Sequence, residues 1–189
     1  MKLRALLASV FVLCSCSHAP LRATVDSYGE ERLDRSLNYS FNLKNLTLLE
    51  KQAAQDCGLA AKEAQLKIME QTCADCIPIE LHTRLVGTEQ VVRSSPGFGS
   101  SFGFFGGGGL GLGIGTGSNV RSSPESQREI NLIFYADSML KKNIREIQVR
   151  SAGRENSVSA VAYEMCQAAF RDFPQNVKGK YYEVKFKEE

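Results

Sequence analysis

Six cysteines carry most of the chemistry this chain could perform, and their spacing sorts them by use. Cys73-Ala74-Asp75-Cys76 has the two-residue gap of a redox pair, which works when a helix N-terminus or nearby cations lower the pKa of the first thiol. Here the helical spacing upstream puts the pair at a helix C-terminus, where the dipole has the opposite sign, and Asp75 adds a negative charge that disfavours thiolate. A thiol-disulfide protein using Cys73 and Cys76 is therefore the alternative reading, behind a structural one. Cys57, Cys73, Cys76 and Cys166 are even in number and allow three pairings. Cys57 and Cys166 fall on the inward faces of two predicted helices, so they could meet and leave Cys73 with Cys76. In an oxidising compartment two disulfides are expected, with buried free thiols as the plain alternative. Oxidation also competes with metal capture, so no metal or cofactor is expected.

The other candidate chemistry is weak. His82 is the only histidine of the predicted folded body and has no Ser or Cys motif beside it, so it reads as a strand residue rather than a base. The stretch 106–111 satisfies G-x-G-x-x-G only because nearly every position is Gly. No helix follows it, and no Lys-Ser or Lys-Thr is there to hold a phosphate. Two Asn-x-Ser/Thr sites, Asn38-Tyr39-Ser40 and Asn45-Leu46-Thr47, match the glycosylation acceptor pattern, which is a site of modification and not of catalysis. Neither catalysis nor nucleotide binding is expected.

Cys16 has a different use. Lys2 and Arg4 form a basic start, Leu6 to Leu13 an apolar run, and Leu13-Cys14-Ser15-Cys16 closes it, which is the layout of a secretory signal. The run is shorter than the roughly 20 residues that span a bilayer. Its end resembles the bacterial lipobox, in which a diacylglyceryl group is attached to the cysteine before cleavage. Cys16 is the expected lipidation site. Cys14 fits less well, because bulky Leu13 precedes it, and a cut after Ala19 would leave Pro20 just past the scissile bond. Each buried methylene adds about 0.8 kcal/mol, so a triacylated Cys16 would anchor stably. Ser17 stands where an Asp would favour inner-membrane retention, so the resemblance to sorted lipoproteins implies the outer membrane, with its periplasmic face as the default. Residues 1–15 are thus read as signal, 16–24 as a lipidated tether reaching at most roughly 25 to 30 Å, and 25–189 as a single domain.

Composition supports one body on that anchor: 189 residues, 43% hydrophobic, with no Trp. Without Lys2 and Arg4 the chain carries 21 basic and 21 acidic residues, which removes the usual ground for a nucleic-acid partner. Leu37, Tyr39, Phe41 and Leu43 alternate with polar residues, predicting a strand over 36–43, and a weaker strand precedes it over 23–28. Leu46, Leu49, Ala53, Cys57, Ala60, Ala64 and Ile68 recur at helical spacing and predict a helix over 45–71, with Gly58 within it. Strands follow over 77–86, 130–135 and 144–149, then a helix over 155–173 stopped by Pro174, and an edge strand over 181–186. The expectation is an α+β fold: a mostly antiparallel sheet of about five strands, two helices on one face, and a long Gly-rich hairpin insertion.

That insertion, 94–125, differs from everything around it. Leu110, Leu112 and Ile114 alternate with glycines, and Phe98, Phe102, Phe104 and Phe105 precede them. Gly-rich backbone loses much entropy on ordering, so the segment reads as a mobile hairpin tip. Its Phe98, Phe102, Phe104, Phe105, Leu110, Leu112 and Ile114 are the candidate contacts to membrane or partner, against the plainer reading of an inert loop.

In its order of parts the chain resembles a family of bacterial outer-membrane lipoproteins whose small domain has no assigned function. The residues that carry the likeness are the lipobox, Arg128-Glu129-Ile130-Asn131-Leu132-Ile133, Ala152-Gly153-Arg154, and Phe170-Arg171-Asp172-Phe173-Pro174, with the Gly- and aromatic-rich insertion between strands. The resemblance implies no catalytic residues, and the four body cysteines lie outside it. The expected function is a non-enzymatic envelope interaction or structural module, held to the membrane by its lipid and meeting an envelope protein as a second partner.

Overall fold

Alternation decides which residues of each strand turn inward. In the computed structural model, which describes residues 19–30, 32–71, 73–103, 111–137, 139 and 142–186, and 88–103 and 111–124 only in backbone course and pairing, β1 (Leu21–Gly29) buries Leu21, Ala23, Val25 and Ser27. β2 (Asn38–Phe41) leads into α1 (Leu48–Glu63) and a three-residue β3 (Lys67–Met69). β4 (Ile77–Gly103) and β5 (Gly111–Tyr135) form the longest pair, followed by β6 (Asn143–Gly153). A 3-10 turn over Ser159–Val161 precedes α2 (Ala162–Phe170), and β7 (Val177–Val184) closes the order.

These strands make one sheet in the order β3-β2-β4-β5-β6-β1-β7. β2 runs parallel to both β3 and β4, and every other pairing is antiparallel. The fold is α+β, but the sheet is mixed and seven-stranded, which corrects the expected antiparallel sheet of about five strands. The error has a local cause. Thr47 caps α1 with a reciprocal box: its hydroxyl accepts from the Glu50 N–H at 3.3 Å, and the Glu50 carboxylate accepts from the Thr47 N–H at 2.9 Å. The helix then stops at Glu63, because Gln65 takes a positive φ of 68°. Ile68, which continued the helical spacing on paper, lies instead on β3, too short to show a two-residue period. The return through α1 gives β3 the direction of β2, as crossover connections do.

The core lies between the helices and one sheet face. Ala53, Cys57 and Ala60 of α1 meet Met165, Cys166 and Phe170 of α2 over Ile79, Leu81, Ile130, Leu132 and Phe134. Small residues on α1 let the two helices approach closely, and the Cys57–Cys166 disulfide joins them, with Cα atoms 5.1 Å apart. At the far end of the sheet Phe134 stacks on Phe173 at 5.7 Å, and Tyr39 meets both rings edge-on at 5.9 Å. Full burial of these apolar side chains stabilises by about 1.5 to 3 kcal/mol each.

Candidate functional site: the long hairpin

β4 and β5 outrun their neighbours. β2 reaches β4 only from Ile77 to Ile79, and β6 leaves β5 at the Ser126–Gly153 pair. Beyond Thr88 and Ser126 the two strands pair, among the described residues, only with each other, and the ladder runs on into the Gly-rich segment as far as Gly103 opposite Gly111. At about 3.3 Å per residue this arm is roughly 50 Å long.

Its two faces differ in composition. Residues directly opposite in an antiparallel pair share a face, and successive residues alternate between faces. The pairs Phe102–Leu112, Ser100–Ile114, Phe98–Thr116 and Ser94–Val120 therefore lie on one face. The pairs Ser101–Gly113, Gly99–Gly115, Gly97–Gly117 and Ser95–Asn119 lie on the other. Every large apolar residue of the described arm above the Arg93–Arg121 pair is on the first face, and the second holds nothing larger than Asn.

A one-residue irregularity makes this segregation. The register shifts between Leu85 and Gly87, where Gly87 adopts a φ of 155°. Below the bulge Leu81 and Ile79 pair with Leu132 and Phe134 on the buried face. Above it the parity of β4 is reversed while that of β5 is kept, as bulges require. If the register below the bulge ran on unchanged, Phe98 and Phe102 would pair with Gly115 and Gly111 and stand on the other face from Leu112 and Ile114. The apolar face thus continues, past the helices, the sheet face that the helices cover.

The sheet registers also fix where the arm leaves. Ala23 pairs with Ser151, Ser151 with Arg128, and Arg128 with Leu85, one row across four strands. The N-terminal end of β1 is therefore at the end of the sheet from which the hairpin projects. A cavity of about 490 Å³ there is lined by Ala19 and Pro20 together with Glu125, Arg128, Gly153 and Phe186. Arg128 is buried, and its Nε has no hydrogen-bond partner among the described residues. Burial lowers its pKa, opposed by Glu155 and Glu125.

The residues singled out in the sequence separate accordingly. Phe98, Phe102, Leu112 and Ile114 are brought to one face by register, whereas Phe104, Phe105, Leu110 and Cys16 lie outside the described residues. Cys73 and Cys76 are bonded across a tight turn between β3 and β4, with Cα atoms 5.1 Å apart. Cys76 is buried and its N–H donates to the Cys73 carbonyl at 3.2 Å. The pair faces no helix N-terminus, and its nearest helix ends at Glu63 rather than beside it. His82 lies exposed on the open sheet face, its Nε2 3.6 Å from Glu80. Glu80 also accepts from the Tyr135 hydroxyl at 2.9 Å, and Asn131 donates to Glu146 at 2.6 Å. The Asn131 Oδ1 is buried without a hydrogen-bond partner among the described residues, and the cluster holds no thiol or serine hydroxyl. Among the described residues no group of His, Cys, Asp and Glu has a metal-binding arrangement. What the sequence reading missed is the glycine face of the arm and the bulge at Gly87. The alternation of Leu112 and Ile114 with glycines was its visible trace.

No protein family matches this chain, and none of the curated proteins does. Among solved structures it is similar to a PDZ domain protein from Parabacteroides distasonis, with a TM-score of 0.46 and 8% identity. That match covers 86% of this chain and 39% of that one, so the chain spans about two fifths of the length of that protein. It is also similar to a PelC dodecamer from Paraburkholderia phytofirmans, with a TM-score of 0.39 and 10% identity, covering 78% of this chain and 93% of that one.

Proposed function

We propose that this protein is a non-enzymatic module of the bacterial envelope, anchored through lipid on Cys16, whose β4–β5 arm contacts the membrane that holds the anchor. The observation that carries this reading is the shared row of Ala23 and Leu85: the end of β1 that leads to the anchor and the root of the apolar arm are at one end of the sheet. β1 begins at Leu21, leaving residues 16–20 between the lipidated cysteine and the sheet, roughly 17 Å at full extension. A bilayer reached by the lipid is within reach of an arm roughly 50 Å long. Segregation of its apolar residues to one face supports lipid as the partner, since such a face is costly in water and favoured against hydrocarbon.

The test is a full chain in which 92–122 is replaced by a short turn joining Val91 to Ser123, residues that pair directly. Both proteins carry Cys16→Ser, so that the lipid does not mask the contact. Shortening a loop changes closure entropy only slightly, about 0.6 kcal/mol per twofold change in length. The truncated form should unfold at nearly the same urea concentration and lose co-sedimentation with phosphatidylethanolamine/phosphatidylglycerol vesicles. Undiminished vesicle binding would remove the arm from the function.

A further inference from the structure

The arm has two unpaired edges as well as an apolar face. Among the described residues β4 pairs only with β5 from Thr88 to Gly103, and β5 only with β4 from Gly111 to Glu125, so no described strand takes up the outer ladder of either. In water such edges are templates for another chain. Inside a bilayer they cannot remain open, because each unsatisfied backbone group costs several kcal/mol, and strands cross membranes only as closed barrels.

Several dimensions of the arm match a membrane strand. From Val92 to Phe102, and from Leu112 to Ser122, the segments fall at the upper end of the roughly 9 to 11 residues that cross at about 45° tilt. That length of strand is roughly 33 Å, or about 23 Å of depth at this tilt, near the ~25 Å apolar band of outer-membrane barrels. Between Arg93 and Arg121, which pair with each other, there is no charged residue. On β5 Leu112, Ile114 and Val120 alternate with Gly113, Gly115 and Asn119, and on β4 Phe98 and Phe102 share their face with Ser94, Pro96 and Ser100 while the other face holds only Gly and Ser, so the apolar residues stand on one side of the wall alone. Pro96, which lacks an N–H, stands near the base, and the Gly-rich rungs above it have every backbone donor and acceptor available.

Resting on the membrane-contact reading above, we propose that the arms of several copies of this chain pair edge to edge into one closed β-barrel across the bilayer. The Phe98, Phe102, Leu112 and Ile114 face meets lipid, and the Gly97, Gly99, Gly113 and Gly115 face lines an aqueous lumen. Each copy supplies two strands, and barrels that leave an aqueous channel have about 16 strands, so the assembly holds about eight copies or more. Small residues on the inner face leave the lumen open. The activity is passage of small hydrophilic solutes, gated by no moving part of the arm itself.

The experiment uses the full lipidated chain, extracted in mild detergent and reconstituted into phosphatidylethanolamine/phosphatidylglycerol vesicles loaded with self-quenched carboxyfluorescein. We expect a discrete oligomer by light scattering in detergent, and dye release on reconstitution. Two neighbouring substitutions of equal charge separate the faces by their effect on assembly: Ile114→Arg should lower the yield of the oligomer, and dye release with it, about thirtyfold, the equivalent of 2 kcal/mol at 1.4 kcal/mol per tenfold, while Gly115→Arg should retain the oligomer and lower release only as far as the added side chains narrow the lumen. Urea unfolding of the sheet domain in both variants shows that each is folded. Monomers that bind vesicles through the arm without releasing dye would overturn the barrel and leave the membrane-contact reading standing. Equal effects of the two substitutions, or open-ended filaments in place of a discrete oligomer, would also overturn it. Arms that leave vesicle binding unchanged when removed would overturn both.

Discussion

Ala23 and Leu85 stand on one row of the sheet, joined through Ser151 and Arg128 although they belong to strands at either side of β5 and β6. This row orients the whole domain relative to its anchor. If the lipid at Cys16 and the arm enter the same bilayer, Ala152, exposed beside the row, must sit near headgroups, and Met139, exposed at the other end of β5 and β6, must face bulk water. A fluorophore placed at Ala152 should be quenched by headgroup-labelled lipid, and one at Met139 should not. Equal quenching at both positions would contradict this orientation.

The two disulfides should differ in what they contribute. Cys57–Cys166 closes a sequence separation of 109 and ties α1 to α2, whereas Cys73–Cys76 closes a separation of 3. By loop entropy the first stabilises by about 4 to 5 kcal/mol and the second by under about 2 kcal/mol. Paired alanine substitutions compared by urea unfolding should reproduce that order. A larger loss at Cys73 and Cys76 would assign the tight loop a role beyond its turn.

Acid should act through Asp172, which accepts from Lys180 and the Tyr182 hydroxyl where the chain passes from α2 to β7. Lys180 first, and Tyr182 next, hold the Asp172 carboxyl below its ordinary value of 3.8. A depressed carboxylate contributes stability that is fully present above its unfolded pKa and is lost as pH falls through the folded one. Asp172→Asn should therefore cost about 1 kcal/mol at neutral pH and nothing once the wild-type carboxyl is protonated. Urea midpoints between neutral and strongly acidic pH test this. A difference that persists unchanged into acid would mean that the carboxylate charge is not involved.

How much of this was legible in the sequence depends on what each signal can encode. Two-residue alternation marked β2, the roots of β4 and β5, and β6, because each buries one face and exposes the other. It could not give strand direction, so the parallel pairing of β2 with β3 and β4 was invisible. Lys67–Met69 is too short for any period, and Ile68 fell into step with the helix before it. The spacing predicts the second helix over 155–173, but α2 proper covers Ala162–Phe170 after a 3-10 turn that preserves the same inward residues Val161 and Met165. Phe98, Phe102, Leu112 and Ile114 were legible as apolar residues set among glycines. Their meeting on one face was not, because it depends on the single extra residue near Gly87, which changes the parity of one strand and leaves no trace in its own composition.

The facing that the extra residue preserves is itself testable. Exchanging Phe98 with Gly99 and Ser101 with Phe102 moves both phenylalanines to the glycine face without touching the register. Burial of a Phe is worth about 1.5 to 3 kcal/mol, so vesicle affinity should fall at least about tenfold while the domain below the bulge unfolds as before. Unchanged affinity would show that the facing of the two phenylalanines does not matter.

The central claim is that the arm presents one face to hydrocarbon and the other to water, and the most direct measurement is a residue-by-residue scan of that arm. An environment-sensitive fluorophore is attached singly at each position of 97–102 and 112–117 in the full chain, bound to phosphatidylethanolamine/phosphatidylglycerol vesicles. We predict emission that alternates with a period of two on both strands, blue-shifted at Phe98, Ser100, Phe102, Leu112, Ile114 and Thr116 and water-like at the residues between them. Emission that is uniform along the arm, whether all water-like or all apolar, would contradict the account.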